Sequence, residues 1–574
     1  MKRVIKLLDA KRVFWLILFI VIQTVALLAI PTVSANIVDY GVALGDIDYI
    51  IRFGGVMILI ALIGFAAAIA NVYFAATESQ GVGTTLRKKL FDKIMFFSSE
   101  EINEFGTSTL ITRTTSDVLQ IQQVMMFSLR LLILNPLRIV VAATLAFTRN
   151  PRLSLIFIVI IPILVIFIGI VLRKVTPLFR SLQVKTDELN RVFREGLTGI
   201  RVIRAFNRED YEEARFDEVN EDYKDTSILS RMYMATLNPI MILLASATSI
   251  MIIWFGGQLV SMDQMQVGNL IAFTSYSINI LMGIMSIAVI ITMLPRAQVA
   301  VERIYEILDA EESIIDPEEP KEIATDSGEL TLEFEDVCFR YPGAEKLALK
   351  DISFSMKAGE KLAIIGGTGA GKSSLVQLIL RLYDIESGSI KINDVDIREM
   401  SQSYLRRLIG FATQDALLFS GTIRENLTYG NADASDDELW KALEIAQGYD
   451  FVSNLPDQLD SRVEQGGANF SGGQRQRLSI ARTLVTEADI LVFDDSFSAL
   501  DFQTDARLRA ALGPVTTDKL VMIIAQRINT VADADQILVL DNGRLVGQGT
   551  HEELKENNEV YREIMDSQMR GDDV

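Results

Sequence analysis

The chain has 574 residues, enough for more than one domain, and combines 49% hydrophobic with 22% charged residues, a mixture that points to two unlike parts. A net charge of -19 argues against nucleic-acid binding as its main business, and a single Cys leaves no intramolecular disulfide, as suits a thiol facing a reducing cytosol. A single His all but removes histidine-based metal sites and His-dependent triads.

The N-terminus, residues 1–12, interleaves Lys2, Arg3, Lys6, Lys11 and Arg12 with apolar residues. It reads as a basic amphipathic segment at the cytoplasmic surface. Val13 to about Ala35 is an apolar run long enough to cross ~30 Å of hydrocarbon. Thr32-Val33-Ser34-Ala35 resembles a signal-peptide cleavage site, but the run is too long for a signal core and more spans follow. Phe53–Ala76, Phe127–Thr148, Leu153–Leu172, Leu237–Val260 and Leu270–Leu294 complete a set of six spans. Loops after the first, third and fifth spans are short. Those after the second and fourth, about 77–126 and 173–236, are long and basic, so positive charge lies on the N-terminal, inner side. Arg149 and Arg152 in an outer turn run against that rule.

The long inner segments read as helical continuations of the spans, broken at Phe105-Gly106-Thr107-Ser108 and at Ala205–Asp210. Arg138 falls mid-span, where a charge requires water or a partner, and is expected to line a polar cavity. Met241, Met251, Met282, Met285 and Met293 fit ordinary helix packing, or an adaptable surface for varied apolar ligands.

We place a membrane domain at 1–310, an acidic, Pro-bearing linker at 311–329, and an α/β domain at 330–574. In the last, strands are expected at Leu332–Phe339, Lys361–Ile365, Ile490–Phe493, Leu520–Ile524 and Gln536–Leu540. Between the second of these and the apolar run Leu375–Leu380 lies Gly366-Gly367-Thr368-Gly369-Ala370-Gly371-Lys372-Ser373, a G-x-x-x-x-G-K-[ST] phosphate-binding loop. Glycines let backbone N–H groups turn toward phosphate oxygens, and the helix N-terminus adds its dipole. Lys372 is placed to reach the outer phosphates of ATP, with Ser374 beside it, and the Ser373 hydroxyl to hold Mg²⁺. Ile490-Leu491-Val492-Phe493 ends in Asp494, the expected second Mg²⁺ carboxylate. Ser471-Gly472-Gly473-Gln474 opens another helix with an anion-binding N-terminus. One chain thus carries parts of two nucleotide sites, and the second is expected to be shared with a partner.

This last motif resembles the signature of the ABC transporter ATPases, and six spans followed by one ATPase domain resemble an ABC exporter half-transporter over nearly the whole chain. The resemblance implies ATPase domains meeting head to tail, with Ser471, Gly472, Gly473 and Gln474 completing the partner's ATP site. It implies adenine stacking on Tyr341, a Mg²⁺ contact from Gln414, a D-loop at Ser498-Ala499-Leu500-Asp501, and coupling helices near Gly106 and Asn207.

Three positions depart from the family. Asp495 stands where a water-polarising Glu is usual, Gln526 replaces the switch His, and Val463-Glu464-Gln465-Gly466-Gly467 replaces Val-Gly-Glu-x-Gly. Asp is one methylene short for a base that needs hydrogen-bond reach, and an amide carries no proton or charge. The altered Val463–Gly467 segment puts the expected carboxylate contact to the coupling helices in doubt.

The expectation is one subunit of a heterodimeric bacterial exporter of hydrophobic or amphipathic compounds, of the multidrug type, in the plasma membrane, with its ATPase domain cytoplasmic. Its own site is hydrolytically impaired, and the partner is a different half-transporter carrying Glu and His. A lipid or peptide exporter is the runner-up, and an ATP-gated channel or regulatory subunit a reading from another class.

Overall fold

The computed structural model describes residues 2–323 and 330–572, so the last part of the expected linker, 324–329, lies outside the described residues. The chain forms two compact units. One holds the residues up to Met95 together with Thr107–Ala310; the other holds Phe96–Gly106 and the chain from Glu311 onward.

Among the described residues, six helices of the first unit are long and apolar enough to cross a membrane: Ala10–Val42, Ile47–Met95, Thr107–Arg149, Pro151–Thr198, Glu209–Ser261 and Val267–Leu308. Each contains one of the apolar runs read from the sequence, and several run far beyond it. The second helix, 49 residues long, extends about 70 Å, more than twice the hydrocarbon thickness. The N-terminal segment is fastened by Glu78, buried in that second helix. Its carboxylate accepts from the backbone N–H of Asp9 at 2.9 Å and from Arg12 at 3.3 Å. Asp9 in turn caps the first spanning helix through the N–H of Lys11.

Arg138 is half-buried on the third spanning helix, where its Nε donates to Asn279 Oδ1 on the sixth at 2.8 Å. The expected mid-span charge therefore has a polar but uncharged partner.

The helix breaks are double. Met95 ends the second spanning helix, Ser98 caps a short helix Ser99–Phe105, and Gly106 turns the chain with φ +73°. Further on, Gly199 separates Pro151–Thr198 from Ile200–Ala205, and Asn207 adopts φ +50° before the helix beginning at Glu209. An Asn tolerates this left-handed backbone better than most residues.

The second unit is built on a six-stranded sheet. Its strands are β1 Thr331–Phe339, β2 Leu349–Lys357, β3 Lys361–Gly366, β4 Ser387–Ile392, β5 Val395–Asp396, β6 Ile409–Ala412, β7 Gly421–Thr422, β8 Arg462–Val463, β9 Ile490–Asp494, β10 Leu520–Ile524, β11 Gln536–Asp541 and β12 Arg544–Gly549. The main sheet runs β12-β11-β3-β10-β9-β6, parallel except for β12 at its edge. A second, antiparallel sheet runs β2-β1-β4-β5, and β7 pairs with β8. The central strands are buried on both faces, as parallel strands require. Leu491, Phe493, Val521 and Ile523 enter one core together with the helix Gly472–Val485. Ile490, Val492, Leu520 and Met522 enter the other, with the helix Lys372–Ile379 and the antiparallel sheet. The two anion-facing helices therefore sit on opposite faces of one sheet.

Within this unit, the Phe96–Gly106 segment is held by hydrogen bonds rather than by apolar burial alone. The buried Glu101 carboxylate accepts from the backbone N–H groups of Ser98 at 2.7 Å and Ser313 at 2.6 Å. Asn103 donates to the Tyr383 hydroxyl at 2.8 Å, and the Ser99 N–H to Leu382 O at 3.3 Å. The chain after Ser313 is likewise tied down, by Gln402 N–H to Asp316 and Ile323 N–H to Tyr404. Burial pushes the Glu101 carboxyl up, but the hydrogen bonds from Ser98 and Ser313 outweigh it and hold it below the usual carboxylate range. A lowered native pKa contributes stability above the ordinary Glu value, lost as pH falls through the native one. Glu101→Ala is thus expected to weaken docking of residues 96–106 by about 1–3 kcal/mol, read as lost hydrogen-exchange protection there. The wild type is expected to lose that protection in acid, below about pH 4.

Candidate functional site

Strand register sets the site. β3, β10 and β9 pair in parallel with Ile364 opposite Ile524 and Ile524 opposite Asp494, so three strands deliver their C-terminal ends to one level. The phosphate-loop glycines then turn the chain into the helix Lys372–Ile379, Gly369 and Gly371 having φ +80° and +105°. Only Gly enters such a region freely. A Cβ on Gly371 would also press Leu349 at 2.6 Å and Ala348 O at 3.2 Å.

Above these strand ends lies a cleft of about 350 Å³. Tyr341, Thr368, Gly369, Ala370, Gly371, Lys372, Ser373, Ser374, Gln414, Asp494, Asp495 and Gln526 all line it, with Ala348 and Ile524. Gly366 stands just beneath, its carbonyl accepting from Lys372 Nζ at 2.8 Å, with that of Gly367 at 2.9 Å. Ser471–Gln474 do not line this cleft. Ser471 caps the helix Gly472–Val485 in a capping box with Gln474, on the other face of the sheet.

The electrostatics follow from burial of opposite charges together. Burial lowers the Lys372 pKa, with Asp495 and Asp494 opposing. Burial and then the charge of Asp495 raise Asp494, while a hydrogen bond from Ser373 and the charge of Lys372 oppose. Burial raises Asp495, against Lys372, Arg527 and Gln526. Asp495 has φ +46°, and its Oδ2 accepts from Gln526 Nε2 at 3.0 Å. Two of the three departures noted in the sequence are thus bonded to one another.

The donor set suits magnesium nucleotide. Ser373, Asp494 and Gln414 offer oxygen ligands, matching a hard divalent cation that takes its remaining ligands from phosphate and water. Such an ion supplies charge neutralisation at the phosphates. The inward-turned loop and helix N-terminus supply N–H donors, and Lys372 a cation, for the phosphate oxygens.

Sequence reasoning missed several supporting side chains. The Tyr341 hydroxyl meets Ser374 Oγ at 2.8 Å, and its ring lies edge-on to that of Tyr383 at 5.3 Å. Tyr383 directly follows the phosphate-loop helix region but belongs to no motif. Gln476, buried, donates to Gln414 O at 3.4 Å and accepts from the Ala499 N–H at 3.2 Å, joining the segments around Gln414 and Ser498–Asp501. Arg527 donates to Ser498 O at 2.9 Å and Leu500 O at 3.3 Å. In the altered segment, Gly466 and Gly467 both have φ +68° and Glu464 is exposed, its N–H bonded to Asn469.

Comparison with known proteins agrees with this architecture. Residues 13–285 match the ABC transporter transmembrane region, and residues 349–498 the ABC transporter ATPase family model described as ABC transporter. The chain is 40% identical over 550 residues to the uncharacterized ABC transporter ATP-binding protein MT1311 of Mycobacterium tuberculosis, covering 95% of this chain and 94% of that one. It belongs to the ABC transporter family. Further relatives are the uncharacterized ABC transporter ATP-binding protein YfiB of Bacillus subtilis, 38% identical over 540 residues (94% and 93% covered), and the ATP-dependent lipid A-core flippase of Desulfotalea psychrophila, 33% identical over 479 residues (83% and 82% covered). A solved bacterial Atm1-family ABC exporter with ATP bound shares the fold, with TM-score 0.79 at 24% identity, covering 97% of this chain and 98% of that one. The chain is an ABC transporter subunit, a multi-pass membrane protein whose ATPase domain uses ATP with Mg²⁺ and couples hydrolysis to transport.

Gly371→Ala is expected to weaken binding of a fluorescent ATP analogue on the order of ten- to hundredfold, since strain of about 1–3 kcal/mol enters the loop. Gly367→Ala, whose Cβ meets nothing within 4 Å, is expected to cost far less in the same titration.

Proposed function

We propose that this chain is one half of a heterodimeric exporter of hydrophobic or amphipathic compounds, of the multidrug type, in a bacterial plasma membrane. Its own phosphate-loop site holds MgATP and hydrolyses it slowly, while its signature segment completes the faster site of a different half-transporter carrying Glu and His.

The observation that carries this reading is the Asp495–Gln526 pair. A general base needs a carboxylate within hydrogen-bond reach of the water it activates. Here the shorter side chain starts from a left-handed backbone and is bound at 3.0 Å by the neighbouring amide. The amide fixes the carboxylate but cannot exchange a proton with it. The phosphate-binding parts beside this pair are complete, which favours retained nucleotide over lost function. Lys372 and the loop N–H groups hold the phosphates, Tyr341 faces the adenine end, and Ser373, Asp494 and Gln414 hold Mg²⁺.

Placement of the two anion-facing helices on opposite faces of the sheet supports a second chain at each ATP. Ser471, Gly472, Gly473 and Gln474 turn outward to a nucleotide held by the partner's phosphate loop. Two copies of this chain would give two impaired sites, which favours an unlike partner. Nucleotide binding then draws the ATPase domains together, and hydrolysis at the partner's site separates them.

A lipid exporter is the second reading, supported by the 33% identity to a relative named a lipid A-core flippase. An ATP-gated channel needs a continuous polar pore, which these apolar spans do little to line.

The chain purified alone is expected to release phosphate slowly, and Asp495→Glu combined with Gln526→His to raise that rate by ~10²-fold or more. Rapid, vanadate-sensitive turnover by the unaltered chain alone would overturn the proposal. In the complex with its partner, Gly473→Asp is expected to stop most turnover by setting a carboxylate against the partner's nucleotide.

A further inference from the structure

Across the six apolar runs read as spans, 13–35, 53–76, 127–148, 153–172, 237–260 and 270–294, the only ionisable acidic or basic side chains are Arg130 and Arg138. Both are cationic and both lie on the third spanning helix. No Asp or Glu occurs in any of these runs to neutralise them.

A guanidinium in hydrocarbon is costly and is retained where it meets a partner or a path. Arg138 lies 11 residues from the helix end at Arg149, about 16 Å along the axis, too deep to reach the outer headgroups easily. Its Nε is engaged by the uncharged Asn279 side chain at 2.8 Å. A guanidinium presents five N–H donors, so this leaves its charge uncompensated. Arg130, two turns further along toward the inner end, is half-buried, and its enclosed Nε has no hydrogen-bond partner among the described residues. On the sixth helix, Met282, exposed, and Ser286, half-buried, follow Asn279 at spacings of three and seven residues, so they share its face. That face offers an adaptable thioether beside the polar pair.

We infer that the transported compound is an anionic amphiphile, whose phosphate, carboxylate or sulfate group pairs with Arg130 and then Arg138 while its apolar part lies along the Met282 face. The inference rests on the proposal that the cargo is apolar or amphipathic, and it sets the sign of the charge. A planar guanidinium fork matches such oxyanions in two-point contact. Cationic compounds meet repulsion with no acid to offset it.

The test uses the complex isolated through this chain, in phosphatidylcholine nanodiscs, with two nitrobenzoxadiazole-labelled probes of equal chain length, a dodecyl phosphate and a dodecyl trimethylammonium. The phosphate probe is expected to bind at least about tenfold more tightly, the size of a hydrogen bond to a charged group. Arg138→Gln is expected to remove most of that preference, and Arg138→Lys to keep much of it, which separates charge from misfolding. Equal or tighter binding of the ammonium probe, a preference that survives Arg138→Gln with Arg130→Gln, or binding of neither probe would overturn the inference. Neutralisation by an acid of the partner subunit would appear as the first of these. ATP-driven uptake of the probes into inverted vesicles reads export separately: uptake without charge preference keeps the exporter and discards the anion, whereas bound but untransported phosphate probe does the reverse.

Discussion

The ATPase unit depends on the pairing of β3, β10 and β9 at one level. A strand that slipped by one residue would exchange its two faces, sending Phe493 and Ile523 into the core that holds Val492 and Met522. Because both faces are packed, that slip is resisted by every side chain in the sheet. The same register brings the phosphate loop, Asp494 and Gln526 together at the strand ends. Precision at the cleft is therefore a consequence of apolar packing several ångströms below it. The sheet also separates the two anion-facing helices, and a single chain cannot close both around one phosphate group.

A second consequence concerns the Phe96–Gly106 segment. It packs with the ATPase unit, yet its flanking residues continue by peptide bonds into the second and third spanning helices. From it, contacts run Asn103 to the Tyr383 hydroxyl, the Tyr383 ring to the Tyr341 ring, and the Tyr341 hydroxyl to Ser374 in the phosphate-loop helix. Contiguity alone does not establish energetic coupling. It does identify a continuous chain of specific contacts from the nucleotide cleft to a segment covalently joined to the membrane helices.

Elements governed by local pattern were legible in the sequence. The six apolar runs, the phosphate loop between strand and helix, and the apolar strand ending in Asp494 carry their signal within a dozen residues. The gathering of Tyr341, Gln414 and Gln526 into one cleft was legible only through family resemblance, because they lie far apart in sequence. Tyr383, Gln476 and Arg527 were not found at all. Each acts through partners supplied by other segments, and none has a periodicity or spacing that marks it. The first break of each inner segment, at Phe96–Ser98 and at Gly199, was missed for a related reason. Phe96-Phe97 looks like helical continuation, and it is the Ser98–Glu101 capping box with the Ser313 contact that stops the chain there. Arg130 was passed over because it lies near the inner end of its run, where a basic residue ordinarily reaches water.

The substitution at Asp495 takes on a different character once the backbone is considered. From sequence it is a carboxylate shortened by one methylene. In the structure the residue sits at φ +46°, a region that costs most L-residues roughly 1–2 kcal/mol and that Asp tolerates better through local hydrogen bonding. Its N–H donates to Ile524 O at 2.9 Å, its carbonyl accepts from Ser498 Oγ at 2.8 Å, and its carboxylate accepts from Gln526. The N–H, the carbonyl and one carboxylate oxygen of the residue are thus bonded within the protein frame. A longer Glu would carry its carboxylate past this anchorage, and a His at 526 would exchange a fixed amide donor for a titratable ring. Together the two side chains form a closed hydrogen bond. That mutual fit is the physical argument for reading the pair as one device that trades turnover for retention of bound nucleotide, rather than as two independent losses.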